Sequence, residues 1–186
     1  RNIEQYPSLE DDRTLVTQKL QAEYERFQAL WEHLHAVYGC PVIQNNFEPP
    51  LYRLLGNRDA SDHRGRWNYI QRLNQMFYEY ADTHQDFYIH DICYEAADYG
   101  LERWSDPFYW NMYKYAMCVP AIPYTAFQLA RIIKSIFGRN KKVLNLDLDN
   151  TLWGGVIGDD GPENIEIGQE TSLGQTYAEF QDYLKQ

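Results

Sequence analysis

Asp147 and Asp149 are the residues of this chain best suited by type and spacing to do chemistry. They stand two apart at the end of a short apolar run, Val143-Leu144-Asn145-Leu146, and are followed by Thr151 and the pair Gly154-Gly155. An apolar run that enters a turn reads as a buried strand. Side chains alternate across a strand, so the spacing predicts that both carboxylates leave it on one side, with Leu146 and Leu148 directed to the other. Two carboxylates so placed repel each other. A hard divalent cation relieves that repulsion, and Mg²⁺ fits because it takes oxygen ligands while keeping places for water and phosphate oxygens. A carboxylate is also a nucleophile towards phosphorus. One of the pair can attack to form an aspartyl-phosphate while the other protonates the leaving oxygen.

The elements that must position such a site are legible upstream. Leu15, Val16, Leu20, Phe27, Leu30, Trp31, Leu34 and Val37 recur at helical spacings up to Gly39, and Ser8 with Asp11 reads as an N-cap, which predicts a helix over about residues 9–38. His33 and His35 lie near its C-terminal end, where a positive charge is favourable; two apart, they share no helix face on which to hold a metal. Cys40 to Gln44 reads as a buried strand, and Asn45 and Asn46 follow it. Asparagines at a strand end make turns, and they are also candidate donors to a developing oxyanion. A second helix is expected over Arg66–His84 and a second strand over Phe87–Ile92; strand, helix, strand in that order implies a parallel crossover.

Downstream, Glu95 to Met117 is dense in aromatic residues, and Asp106-Pro107 inside it suits a helix start. Ala121 to Phe137 reads as a helix closed by Gly138. The basic linker Arg139-Asn140-Lys141-Lys142 then leads into the apolar run, which places a domain boundary between residues 1–138 and 139–186.

Composition narrows the classes. With 44% hydrophobic and 16% aromatic residues among 186, the chain can build a core. No run of about 18 apolar residues is present and no charged-then-apolar leader opens the sequence, so neither a membrane span nor a signal peptide is expected. The three cysteines, Cys40, Cys93 and Cys118, lie far apart without a Cys-x-x-Cys pair, which argues against zinc and a disulfide framework and for a reducing, cytoplasmic setting. Sixteen tyrosines and five tryptophans could serve a carbohydrate or nucleic-acid platform, but a net charge of −10 repels a phosphate backbone and disfavours nucleic acid. The acidity is concentrated from Lys141 to Gln186, where 3 basic residues face 9 acidic ones, so a phosphorylated ligand needs a metal to be admitted there.

The string from Asp147 to Gly161, Asp-Leu-Asp-Asn-Thr-Leu-Trp-Gly-Gly-Val-Ile-Gly-Asp-Asp-Gly, resembles the first motif of the haloacid dehalogenase (HAD) superfamily and, more narrowly, its FkbH-like branch, HAD subfamily IIIC. That resemblance implies roles. Asp147 would be the nucleophile, Asp149 the general acid/base, and Thr151 the residue that fixes the motif loop; the Asp147 side chain and the Asp149 backbone carbonyl would hold Mg²⁺. It also implies a fold: a preceding domain similar to the SGNH-hydrolase α/β sandwich, present in part over residues 1–138, followed by the first strand and the start of a HAD Rossmann-like domain. The fold class is therefore α/β. Two departures stand out. The Gly-Asp-Ser and Asp-x-x-His blocks of active SGNH hydrolases are absent, Asp106 being followed by Pro107, Phe108 and Tyr109, so no serine triad is expected. The second-motif hydroxyl, third-motif lysine and fourth-motif acidic pair would fall beyond Gln186, so the chain as given is expected to be silent on its own.

In activity, the resemblance implies transfer of a glyceryl unit from a glycolytic acyl phosphate to an acyl carrier protein in polyketide-type biosynthesis. A HAD phosphatase that uses water as acceptor is the alternative within that class. A non-catalytic module that docks a carrier protein or subunit through the aromatic region Trp104–Tyr115 is the alternative outside it. Exposure of Trp104, Trp110 and Tyr113 favours docking, and their burial favours an ordinary core.

Overall fold

A carboxylate one turn later than expected starts the first helix. Asp12 accepts the Leu15 amide at 2.7 Å, α1 runs over Arg13–Tyr38, and Gly39 closes it in the left-handed region (φ 56°) with its N–H returned to the His35 carbonyl. Ser8 and Asp11 instead form the turn that precedes it. Asp11 accepts from the Ser8 amide at 3.0 Å and hydroxyl at 2.7 Å and pairs with Lys19 at 2.6 Å. The computed structural model describes residues 2–186, which divide into two units, one up to Gly138 and one from Arg139 to Gln186.

In the first unit α1 turns Val16, Leu20, Phe27 and Trp31 into the core. They meet Tyr69, Ile70, Leu73, Phe77 and Tyr80 from α2, Arg66–Thr83. Two parallel strands complete this core: β1, Val42–Asn45, and β2, Phe87–His90, paired from Val42 with Phe87 to Asn45 with His90. The first strand starts two residues later than the apolar run does, because Pro41 has no N–H to give to a ladder. Trp31 is the centre of the cluster. Its ring lies 4.7 Å from that of Phe87 and 4.9 Å edge-on from that of Phe77, and its indole N–H donates to Gln44 Oε1 at 2.8 Å.

The aromatic-rich region folds as three short helices. Asp91 caps α3, Ile92–Tyr99; α4 is Leu101–Trp104; and α5, Pro107–Tyr113, starts at Pro107 with Asp106 accepting the Phe108 amide at 2.9 Å. Ile92, Ala96, Trp104, Cys118 and Ala121 form a second, smaller core. The next helix, α6, spans Ile122–Ile136 and buries none of its residues, so that Phe127 and Ile133 stay exposed.

In the second unit the structure corrects one expectation. Val143 to Asp147 makes no ladder hydrogen bonds; Val143 is 82% and Leu144 67% exposed. The apolar run has the composition of a strand, but a strand exists only through a neighbour's N–H and C=O groups, and among the described residues none is presented to it. The first strand of a Rossmann-like sheet is therefore not formed here. What is formed is the loop that follows it, with α7, Ile157–Asp160, and α8, Ser172–Leu184.

Candidate active-site loop

Asp147, Asp149 and Thr151 share one tight loop whose shape the sequence dictates residue by residue. Thr151 and Leu152 return their amides to the Leu148 carbonyl at 3.2 and 2.8 Å, which turns the chain directly after Asp149. Asn150 takes a left-handed conformation (φ 54°), which asparagine tolerates better than most residues. It then ties the loop shut: its N–H reaches the Gly155 carbonyl at 3.3 Å, and its side-chain oxygen accepts the Gly155 amide at 3.0 Å. The glycine pair suits a place with little room for side chains. A Cβ on Gly154 would stand 3.1 Å from the Glu166 Cβ and 3.2 Å from the Tyr177 ring, while Gly155 has φ 101°. Gly154 and Glu166 exchange both backbone hydrogen bonds, at 2.9 and 2.8 Å, and Gln181 on α8 donates to the Leu152 carbonyl at 2.7 Å.

The two carboxylates have different surroundings. Asp147 is exposed and, among the described residues, accepts only the amide of the next residue, Leu148, at 2.9 Å. Asp149 is half-buried. Its Oδ1 accepts the Trp153 indole N–H at 3.1 Å and the Ile157 amide at 3.2 Å. The arrangement leaves one carboxylate available to a ligand and holds the other in a fixed orientation. Among the described residues no group of three or more His, Cys, Asp or Glu side chains converges as for a metal ion. The donors in this loop are hard oxygens, and one or two carboxylates with phosphate and water are what Mg²⁺ takes, so the loop fits that ion by chemistry.

The other candidates, Asn45 and Asn46, lie in the first unit at the end of β1. Asn46 is buried, and its amide group donates to Tyr78 Oη at 2.7 Å and to Asp91 Oδ1 at 2.6 Å, while its oxygen accepts the Cys93 amide at 2.9 Å. Its donors are thus engaged in joining β1 to α2 and α3. Asn45 is exposed and lines a cleft of about 340 Å³ with Ile43, Phe47, Trp104, Trp110 and Lys114. Its Oδ1 lies 3.0 Å from His90 Nδ1, and His90 Nε2 lies 2.6 Å from Glu95 Oε1. His90 and Glu95, five residues apart, one on β2 and one on the following helix, carry no spacing signal in the sequence. The aromatic region divides. Trp104 is 1% exposed and belongs to the core, Trp110 is half-buried, and Tyr113 is 56% exposed.

No protein-family model matches the chain, and a search of curated proteins finds no match. Among solved structures the chain is similar to the N-terminal part of the protein BF1531 from Bacteroides fragilis, a crystal structure containing a phosphatase domain complexed with Mg. The likeness has a TM-score of 0.81 at 27% identity and covers 95% of this chain. It covers 46% of the other, so this chain spans less than half the length of that structure. Among the described residues no helix is long and apolar enough to cross a membrane.

Proposed function

We propose that this chain carries the nucleophile and the general acid/base of a Mg²⁺-dependent enzyme of the HAD type that processes a phosphorylated substrate. The observation that carries the reading is the Asp147–Gly155 loop, which leaves one carboxylate free and orients a second two residues on, in a chain whose solved neighbour contains a phosphatase domain complexed with Mg. An oxygen of Asp147 attacks phosphorus, the bond from phosphorus to the leaving oxygen breaks, and Asp149 gives that oxygen its proton. Asp149, now a carboxylate, takes a proton from the water that cleaves the aspartyl-phosphate, releasing phosphate and restoring Asp147. The Asp147 side chain and the Asp149 carbonyl would hold Mg²⁺, which would supply positive charge for the phosphoryl oxygens. Thr151, whose amide helps turn the loop at Leu148, keeps the two carboxylates in register.

Within that reading the string Asp147–Gly161 supports a narrower proposal. The substrate is a glyceryl acyl phosphate attacked at its acyl carbon rather than at phosphorus: an Asp147 oxygen takes the glyceryl group as phosphate leaves with the Asp149 proton, and the thiol of an acyl carrier protein, giving its proton to Asp149, then takes that group and restores Asp147. The exposed Phe108, Met112 and Tyr113 on α5 offer a surface on which a carrier can dock. Asp147→Asn in the intact protein tests the chemistry. Turnover falls by more than a hundredfold; activity retained within about tenfold, roughly 1.4 kcal/mol of barrier, is incompatible with nucleophilic catalysis by Asp147. Mass spectrometry of a carrier protein incubated with enzyme and glyceryl acyl phosphate tests the acceptor: an added glyceryl mass supports transfer, and phosphate release without it identifies water.

A further inference from the structure

The two hydrogen bonds on Asp149 fall on the same oxygen. Oδ1 takes both the Trp153 indole N–H and the Ile157 amide, and among the described residues Oδ2 accepts none. A carboxylate rotates readily about its last bond, and its two oxygens are chemically equivalent until something distinguishes them. Here the distinction is made by an indole, a group that can only donate and so always calls for an acceptor. Trp153 is itself held from both sides. The carbonyl before it, on Leu152, is tied to Gln181 at 2.7 Å, and the residue after it, Gly154, is bridged to Glu166.

We propose that Trp153 is the positioning residue for Asp149, and that its indole N–H decides which carboxyl oxygen addresses the leaving group. The inference rests on the reading of Asp149 as general acid. With Oδ1 held by its two donors, Oδ2 is the oxygen that carries the proton to the leaving oxygen as that oxygen separates from phosphorus. Ile157 alone cannot perform this function, because a single backbone donor leaves the carboxylate free to turn about that one bond. The consequence is a dependence on leaving group. An alkyl phosphate expels an alkoxide and needs the positioned proton; an aryl phosphate with an acidic phenol leaves without it.

The test is a comparison of substrates in the intact protein. In Trp153→Phe, kcat on an alkyl phosphate such as glycerol 3-phosphate falls about ten- to a hundredfold, part of the ~10²–10⁴ that a positioned general acid supplies. KM changes little, and kcat on 4-nitrophenyl phosphate stays within about threefold. Equal losses on both substrates overturn the inference and leave the wider reading standing, since that reading fails only if Asp147→Asn remains active. Where Trp153→Phe does not fold, replacement of Trp153 by β-(3-benzothienyl)-L-alanine, which keeps the bicyclic shape and removes the N–H, gives the same comparison. A readout independent of turnover is the indole ¹H–¹⁵N resonance of Trp153. It shifts upfield in Asp149→Ala if the hydrogen bond exists, and an unmoved resonance refutes it.

Discussion

Asn74 sits on the buried face of α2 between Leu73 and Phe77 and gives both ends of its carboxamide to one backbone residue. Its Oδ1 accepts the Phe47 N–H at 2.8 Å and its Nδ2 donates to the Phe47 carbonyl at 2.8 Å. Phe47 directly follows Asn45 and Asn46, so this clamp fixes the chain as it leaves β1. Asn74→Ala removes both partners and strands one buried N–H and one buried C=O, each at about 1–3 kcal/mol. Water that enters the vacated polar space offsets part of this loss, so the expected cost is about 3 kcal/mol. With a urea slope of about 2 kcal/mol/M for a protein of this size, the midpoint falls by about 1.5 M. The assay is urea unfolding followed by the near-ultraviolet circular dichroism of the Trp31 cluster, joined to amide hydrogen exchange at Phe47. Asn74→Asp keeps the acceptor for the Phe47 N–H but sets an oxygen against the Phe47 carbonyl, so it costs at least as much. A loss below about 0.5 kcal/mol in Asn74→Ala, with the Phe47 amide still protected, refutes the clamp.

Two further outcomes are expected. Gly65→Ala places a Cβ 2.0 Å from the Asp59 carbonyl oxygen, a backbone atom that cannot swing away, so α2 must shift at its start; a drop in stability of about 3 kcal/mol or failure to fold is expected, and thermal melting at the unsubstituted temperature would contradict it. In acid, Asp11 is held down to about 2 by its hydrogen bond to Lys19 and by those from the Ser8 amide and hydroxyl, and the Arg64 guanidinium holds Asp62 well below the usual carboxylate range. Both groups have folded values below the unfolded value of about 3.9, so their contribution is complete above about pH 5 and is lost as pH falls from about 4 towards 2. Lys19→Met lowers stability at neutral pH and flattens the loss across that acid window; an unchanged pH dependence in urea titrations would show that Lys19 does not hold Asp11.

Much of the first unit was legible because its helices state their faces. Val16, Leu20, Phe27 and Trp31, and Ile70, Leu73, Phe77 and Tyr80, recur at intervals that only a helix brings to one side and are found buried, while Leu15, Leu30 and Val37 of the same α1 pattern lie off that face and are exposed. The start of α1 was less legible. A serine three residues before an aspartate looks like a cap, and Asp11 and Asp12 are adjacent; only the Lys19 contact, eight residues on, shows that Asp11 is committed elsewhere. Val143 to Asp147 shows the opposite limit. Residue type expresses a tendency to pair, while pairing is a property of two segments. Within the site, the proximity of Asp147 and Asp149 follows from spacing alone. The indole on Asp149 does not, because a tryptophan four residues on reads as an apolar residue until the turn at Asn150 brings its N–H back.

The hydrogen bonds inside the Asp149 loop span short stretches of chain: four residues from Trp153 to Asp149, five from Gly155 to Asn150, eight from Ile157 to Asp149, with the outer tie from Gln181 to Leu152 spanning 29. The parallel ladder joins residues 45 apart, as in the contact of Asn45 with His90. Loop closure becomes more costly in entropy with separation, and local contacts form on the fastest timescales of folding. The loop is thus expected to adopt its shape early in folding and independently of the ladder, as a kinetically autonomous segment. Loss of the ladder, by heat or by substitution in β1, would then leave the geometry around Asp149 largely in place.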